Sequence, residues 1–140
     1  MRRFAPILIV AALLFAGPAA MASESRSYRG TTDQGKPISL SIREVHGAWY
    51  VSGINVRARC EWPDGSHQRL KEANRWPRAS GPEVTSQFFA EVDTGFTYTQ
   101  VVGRAGQVHA RGGLEMAYRT LGSPPTDTCQ ADASWRASAR

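Results

Sequence analysis

Alternation of apolar and polar residues with a period of two is the feature that most constrains this chain. From residue 54 to residue 62 the even positions are apolar and the odd positions are polar, and from residue 129 to residue 137 the odd positions are apolar. Successive side chains of a β-strand point to opposite faces, so both segments are predicted to be half-buried strands. Cys60 and Cys129 lie on the apolar phase, and we expect both to point into a core.

Other short segments carry the same signal and are separated by turn residues. The further predicted strands are residues 28–31, 38–42, 84–92, 96–103, 107–111 and 114–118. About seven to eight short strands of this kind predict an all-β fold, an antiparallel β-sandwich or a small barrel. The strands on either side of Thr94-Gly95 are expected to form a hairpin, and Gly112-Gly113 is expected to be a bulge or corner. Residues 63–82 fit no strand, and residues 66–74 are predicted to hold about one or two helical turns capped by Ser66.

The N-terminal segment has the three parts of a secretory signal peptide. Arg2 and Arg3 form a positive n-region, residues 7–15 are nine consecutive apolar residues, and small residues stand at positions 20 and 22. This apolar run is too short to span a bilayer, which needs about 20 residues. We therefore expect a signal peptide of residues 1–22, cleavage before Ser23 and no transmembrane anchor. The mature chain, residues 23–140, is expected to be a single β-sandwich domain that is monomeric and periplasmic or secreted.

The two cysteines have a single possible intramolecular pairing. In an oxidising compartment, a disulfide between Cys60 and Cys129 would close a loop of about 70 residues and stabilise the fold by about 4 kcal/mol in the chain-entropy treatment. The alternative is a free nucleophilic thiol. No Cys-His signature accompanies either cysteine in the sequence, so the disulfide is the preferred interpretation.

Short motifs near both ends of the expected mature chain resemble those of an uncharacterised group of small exported bacterial all-β domains. The motifs are Tyr28-Arg29-Gly30-Thr31-Thr32 with Gln34-Gly35, the inward Cys60, and Cys129 followed by Trp135-Arg136-Ala137. The resemblance covers most of the mature chain and implies an exported all-β domain with one inter-strand disulfide. Because these motifs consist of strand and turn residues, the resemblance implies no active site.

Few residues offer catalytic or metal-binding chemistry. His46, His67 and His109 do not pair with another histidine or a cysteine at ligand spacing, and we predict that they are surface residues. Glu91 and Asp93 share one face of a predicted strand, as a glycosidase pair would require, but exposed neighbouring acids are far commoner. The sequence has no Gly-x-Ser-x-Gly motif, phosphate loop, Cys-x-x-Cys pair or calcium loop. An enzyme is therefore disfavoured, and no cofactor or metal is expected.

Excess positive charge is concentrated in one window of the sequence. The whole chain has a net charge of +5, and the mature chain has +3 because the signal peptide carries two arginines. All of that excess lies between residues 57 and 78. The cations of this basic window are Arg57, Arg59, Arg69, Lys71, Arg75 and Arg78, and its acids are Glu61, Asp64 and Glu72. The window also holds Trp62, which is predicted to be buried, and Trp76, which is predicted to be partly exposed.

Arginine guanidinium groups next to indole rings can bind an anionic polysaccharide, a phosphate-bearing lipid head group or an acidic protein face. The sequence therefore favours an exported noncatalytic binding module. The candidate binding residues are Arg57, Arg59, Arg69, Arg75, Trp76 and Arg78. Three alternatives stay open: solvated surface charge without a ligand, a small cell-envelope enzyme acting on glycans through Glu91 or Asp93, and a protein-inhibitor module that pairs through an edge strand. A nucleic-acid partner is not expected, because +3 is a modest charge for such an interface.

Overall fold

The computed structural model describes residues 24–120 and 127–140, and the regular elements in this part of the chain are all β-strands. They are β1 (Ser25–Thr32), β2 (Pro37–Val45), β3 (Ala48–Glu61), β4 (His67–Arg75), β5 (Glu83–Val84), β6 (Phe88–Asp93), β7 (Thr97–Ala105), β8 (His109–Arg119) and β9 (Thr128–Ala139). They form one antiparallel sheet in the order β4-β3-β2-β1-β9-β8-β7-β6, with β5 paired to β3. The prediction of an all-β antiparallel fold is confirmed, with nine strands in the described residues.

Two predictions fall outside the described residues. One is the signal peptide with its cleavage before Ser23, and the other, made from the turn-forming residues Gly122-Ser123-Pro124-Pro125, is a loop before the last strand. Within residues 24–120 and 127–140, no helix has the length and hydropathy needed to cross a membrane.

The inner face of the sheet builds the hydrophobic core. Along β3 the even positions from Ile54 to Cys60 are buried and the odd positions are exposed, as the alternation predicts. Both halves of the sheet contribute to one apolar cluster, with Leu40 from β2 and Met116 from β8 both almost fully buried. The sheet therefore folds over on itself, so that its two halves share a core and leave a single continuous outer face to solvent.

β3 and β9 close this arrangement because both strands extend beyond the β1–β2 hairpin. At that end Glu61 of β3 pairs with Gln130 of β9, although β2 and β1 lie between the two strands in the sheet order. The disulfide between Cys60 and Cys129 lies beside this pairing, with a Cα–Cα distance of 5.3 Å and both residues fully buried. The predicted bridge between inward faces of two strands is confirmed.

The turn between β1 and β2 makes a second link to β3. The side-chain amide of Gln34 donates a hydrogen bond to the Arg59 carbonyl oxygen at 3.0 Å, and its oxygen accepts one from the Arg59 backbone N–H at 2.8 Å. β2 begins only at Pro37, and its pairing with β3 ends at Val56. Gln34 therefore takes the place of the strand partner that Arg59 would otherwise lack on this side.

The segment after β3 is a strand, and the predicted helical turns in residues 66–74 are wrong. The chain reverses between Trp62 and Ser66, where the Trp62 N–H donates to the Ser66 carbonyl and Gly65 adopts a φ of 87°. β4 then pairs with β3 along its whole length. Of the inward-facing residues of β4, only Leu70 is both apolar and buried. The sequence of this edge strand therefore lacks the alternation of apolar and polar residues that identifies a strand.

The glycines of β8 do not form the expected bulge. The register between β7, β8 and β9 runs without a shift through Gly112 and Gly113. The pair formed by Gly112 and its register partner Gly103 of β7 instead provides space: a Cβ on Gly112 would lie 1.8 Å from the Val102 carbonyl oxygen, and one on Gly103 would lie 2.8 Å from the buried Trp135 ring. Close packing of neighbouring strands and of an indole ring is therefore the reason for glycine here.

The irregularity in the sheet lies between β2 and β3. Ser41 pairs with Gly53 but Ile42 pairs with Val51, which leaves Ser52 as an extra residue in β3. Because a bulge shifts the side-chain phase by one position, Val51 and Ile54 are both buried although they lie three residues apart.

The strand predicted over residues 84–92 is divided in two. Val84 belongs to β5 and pairs with Trp49 of β3, whereas β6 begins at Phe88 after a turn in which the Thr85 N–H donates to the Gln87 carbonyl. β6 and β7 form the predicted hairpin around Gly95, which has a φ of 87°.

Reduction of the disulfide is expected to lower the free energy of unfolding by about 2–5 kcal/mol, because it releases a long loop in the unfolded chain. Urea denaturation with and without dithiothreitol measures the difference. A Cys60→Ser/Cys129→Ser variant, which has no bridge to lose, serves as the control and should not respond to the reductant. Modification of both thiols by a maleimide in native, unreduced protein would contradict the bridge.

Removal of the Gln34 side chain is expected to destabilise the fold by about 1 kcal/mol, because two hydrogen bonds to Arg59 are lost at a solvent-accessible site. Gln34→Ala is compared by urea denaturation with Gln107→Ala, which truncates an exposed glutamine in the turn between β7 and β8. Equal stability of the two variants would show that the link between the turn and β3 contributes nothing.

Candidate functional site

The basic window folds into two neighbouring strands whose cations share the outer face of the sheet. Directly opposed residues of an antiparallel pair lie on the same face, with Cβ atoms about 5 Å apart. The register sets Arg57 opposite Lys71 and Arg59 opposite Arg69, and all four side chains are exposed. Arg75 lies farther along β4, opposite Gly53, and is also exposed. The same alternation that buries Cys60 therefore points these cations to solvent.

A depression of about 400 Å³ lies in this surface, and one cation lining it comes from outside the window. Lys36 and Pro37, at the start of β2, line it together with Arg57, Arg69 and Lys71. No local charge signal marks Lys36 in the sequence, since it stands in a turn beside Asp33. It is the strand register and the Gln34 link that bring it to β3. We call the surface formed by the following residues the basic face: Lys36, Arg57, Arg59, Arg69, Lys71 and Arg75.

The acids of the window do not neutralise the basic face through ion pairs. Asp64 accepts hydrogen bonds from the hydroxyl and backbone N–H of Ser66, which hold the pKa of its carboxyl below its ordinary value. Glu72 lies on the inner phase of β4, where burial raises the pKa of its carboxyl. Glu61 is exposed opposite His67 at the end of the strand pair. Across residues 24–120 and 127–140, the ion pair within 4.0 Å is instead Arg26 with Glu24.

The two remaining predicted binding residues, Trp76 and Arg78, follow the end of β4 and do not lie on its outer face. Trp76 is partly buried, packs against the core and donates its backbone N–H to the Ser52 carbonyl at 3.0 Å. Arg78 is exposed in the loop after β4, with a φ of 49°. Trp62 is only partly buried and meets Tyr118 edge to face, with ring centroids 6.0 Å apart.

An arginine that stacks on an indole ring is found outside the basic window. In the described part of the chain the stacked pair is Arg26 over Trp49, at 4.4 Å from the guanidinium carbon to the ring centroid. Trp49 lies in β3 before the bulge, outside the basic window. The structure therefore brings together the cations of the window except Arg78, and it does not add the tryptophans of the window to them.

The acids considered for catalysis lie on the outer face of the other half of the sheet. Glu91 and Asp93 are both exposed on β6, which is an edge strand. Burial raises the pKa of the Tyr98 hydroxyl on the neighbouring strand, and the carboxylates of Glu91, Glu115 and Asp93 add to the shift. The acids therefore surround a tyrosine on an open surface.

The three histidines occupy separate exposed positions. His46 stands in the two-residue turn between β2 and β3 with a φ of 51°, His67 begins β4 and His109 begins β8. Within the described residues, no group of three or more histidine, cysteine, aspartate or glutamate side chains is placed to hold a metal ion.

Comparison with known proteins assigns no relative to this chain. No protein-family model matches it, and no curated protein or solved structure is significantly similar to it. The resemblance to small exported bacterial all-β domains therefore stays a prediction, and the geometry of the outer face is the remaining indication of function.

Replacement of the half-buried acid of β4 is expected to change how stability depends on pH. Burial raises the pKa of Glu72 above 4.5, so the folded state holds more protons than the unfolded state between the two pKa values. In that range the free energy of unfolding falls as the pH rises. Glu72→Gln removes this fall and should be more stable than the wild type at pH 7, by a small margin because the carboxyl is only partly buried and solvent screens its interactions.

Urea denaturation between about pH 4 and pH 7 measures the difference between the two proteins. Glu83→Gln, at an exposed position in β5, is the matched control and should follow the wild-type curve. A Glu72→Gln protein less stable than the wild type at pH 7 would mean that the carboxylate makes a stabilising interaction with the cations of β3 and β4.

Proposed function

We propose that this protein is an exported noncatalytic module that binds an anionic polymer through the basic face. The observation that carries the proposal is the direct opposition of Arg57 to Lys71 and of Arg59 to Arg69 on exposed strands. Like charges placed opposite one another destabilise a sheet. An anionic ligand that lies between such cations offsets the repulsion between them and accepts charge-assisted hydrogen bonds from the arginine guanidinium groups.

The dimensions of the basic face favour a polymer over a single small anion. Arg57 and Arg59 are about 7 Å apart along β3, and Arg75 lies about 13 Å from Lys71 along β4, at a strand rise of about 3.4 Å per residue. One phosphate or carboxylate cannot contact cations over that length. A chain that carries several anionic groups can do so.

The buried disulfide is compatible with the proposed location. Disulfides persist in oxidising compartments, which include the bacterial periplasm and the extracellular medium. The bridge between Cys60 and Cys129 supports export in this sense, and the N-terminal signal peptide predicted from the sequence supplies the route.

The two other functions considered from the sequence make different demands on the outer face. An enzyme acting on glycans would depend on Glu91 or Asp93, and a module that recruits a partner strand would use an edge such as that of β6. Neither depends on the basic face, so substitutions there separate these functions from polymer binding.

Binding of dextran sulfate, with neutral dextran as the negative probe, tests the proposal. The variant Arg57→Gln/Arg59→Gln/Arg69→Gln is expected to lose at least about tenfold in affinity at low salt, and wild-type binding should weaken as salt rises because exposed charges are screened. The matched control is Arg43→Gln/Arg119→Gln/Arg140→Gln, which removes the same charge outside the basic face. Equal losses in the two variants would mean that dextran sulfate responds only to net charge, and the assignment of the basic face would be wrong.

A further inference from the structure

A second group of three arginines lies on the opposite half of the outer face. Arg136 of β9 is the register partner of Arg111 of β8, and Arg111 is the partner of Arg104 of β7. All three side chains are exposed and line one shallow depression of about 390 Å³, which Ser134 and Gln87 also line. These arginines are far apart in the sequence, and only the folding of three strands into one sheet brings them together.

This second group is not compensated by ion pairs. Neighbouring arginines on adjacent strands have Cβ atoms about 5 Å apart, and like charges at that distance repel. The described residues contain one ion pair within 4.0 Å, and it involves Arg26 rather than any arginine of this group. Three converging guanidinium groups without a carboxylate therefore form a site suited to anions.

The strand register places this group in line with the basic face. Arg136 pairs with Thr31 of β1, and Thr31 pairs with Pro37 of β2. Pro37 in turn lines the same depression as Arg57 and Lys71, which pair with each other. One row perpendicular to the strands thus runs from β4 to β7, and every residue in it is exposed. We call this row the cross-strand track; its cations are Lys71, Arg57, Arg136, Arg111 and Arg104.

The track has a definite length. Neighbouring strands lie about 4.8 Å apart, so the six spacings from β4 to β7 measure about 29 Å along the curved surface. The uncharged pair Thr31 and Pro37 separates the two cationic groups, and Arg57 lies about 14 Å from Arg136 across three spacings. A ligand that reaches both groups must therefore be a chain of several units.

Acidic side chains on the same face favour one direction of such a ligand relative to the strands. Asp132 and Glu115 pair with each other on β9 and β8, and Glu91 lies two strands from Glu115 in the same register row. They stand four residues from the arginines along their strands, about 13 Å away. A polyanion that followed the strands would meet these carboxylates, whereas one that crossed the strands meets only cations and uncharged residues.

We propose that the cross-strand track binds a linear anionic polysaccharide that lies perpendicular to the strands and engages Arg104, Arg111 and Arg136 together with Arg57 and Lys71. This proposal rests on the proposed function of the basic face and extends it to the other half of the sheet. The spacing between adjacent arginines equals one strand separation, which is close to the length of one sugar unit in an extended chain. Duplex DNA, in which each strand carries a phosphate about every 3.4 Å of helix axis, matches this spacing less well.

Binding of two sulfated dextran oligomers, one about 10 Å long and one about 35 Å long, tests the cross-strand track. Only the long oligomer can reach both groups of cations, and it gains affinity from the second contact. Wild-type protein is expected to bind two short oligomers but one long oligomer, and to bind the long one at least about tenfold more tightly. Arg104→Gln/Arg111→Gln/Arg136→Gln should bind one short oligomer and lose that advantage. Arg111→Glu, a single substitution at the middle of the row, should give the same loss in a protein with minimal change to the fold.

The outcomes separate this proposal from the one on which it rests. If the Arg104/Arg111/Arg136 variant binds the long oligomer like wild type while the basic-face variant does not, the track is wrong and the basic face stands. If wild type binds neither length, both proposals fail. If single-stranded DNA of the same length binds as tightly and with the same dependence on Arg111, the assignment to a polysaccharide is overturned. The variant Arg43→Gln/Arg119→Gln/Arg140→Gln again controls for net charge.

Discussion

The meeting of β3 with β9 is the contact on which the shape of this protein depends. These strands are separated by β2 and β1 in the order of the sheet, yet they pair at Glu61 and Gln130 and are joined by the bridge from Cys60 to Cys129. The two strands converge past the end of the β1–β2 hairpin, and the bridge holds them there. The inner side chains of both halves of the sheet then enclose one core that neither half could cover alone. Because the bridge joins residues 69 apart in the sequence, it also closes a long loop in the unfolded chain and reduces the conformational entropy of that state.

The same constraint leaves the outer face free to carry charge. Inner positions must be apolar wherever they enter the core, and the neighbouring positions on each strand then point to solvent whatever their chemistry. Cys60 and Arg59 illustrate the point, since one is fully buried and the other is exposed although they are adjacent. Burial of the core and presentation of the cations are therefore two results of a single alternation. A shift of one residue in the register of β3 would turn the cations toward the core and the apolar side chains toward solvent.

The parts of the fold that the sequence predicts are those in which the alternation is strong. Along β3 and β9 every second residue is apolar, so the strands and the inward direction of both cysteines follow from the pattern. β4 escapes prediction because an edge strand buries little, and of its inward side chains only Leu70 is both apolar and buried. The Gly112-Gly113 pair of β8 predicts a bulge, but Gly112 instead lets the neighbouring strand β7 approach closely, and such a contact has no signature in a single sequence.

The candidate site likewise has one part that the sequence predicts and another part that it does not. A local excess of charge marks the cations of β3 and β4, which form one hairpin and must therefore lie side by side. Arg104, Arg111, Arg136 and Lys36 belong to the rest of the mature chain, in which cations and acids are equal in number and no excess of charge marks a site. Their relation to the basic window depends on pairings between strands that are distant in the chain. Only the register of the whole sheet contains that information.

The distribution of charge over the outer face is not the one that stability alone would favour. Alternating signs on directly opposed positions stabilise neighbouring strands, and opposed like charges destabilise them, each by a few tenths of a kcal/mol up to about 1 kcal/mol. This sheet opposes Arg59 to Arg69 and Arg111 to Arg136, and sets Asp132 opposite Glu115 in a separate row. Exchange of one cation and one acid between the rows would give opposed pairs of opposite sign without changing the net charge. Solvation and solubility would be the same after that exchange, so they do not account for the segregation. The proposed recognition of a partner charged along its length would account for it, because a row of one sign would then meet a ligand of the other.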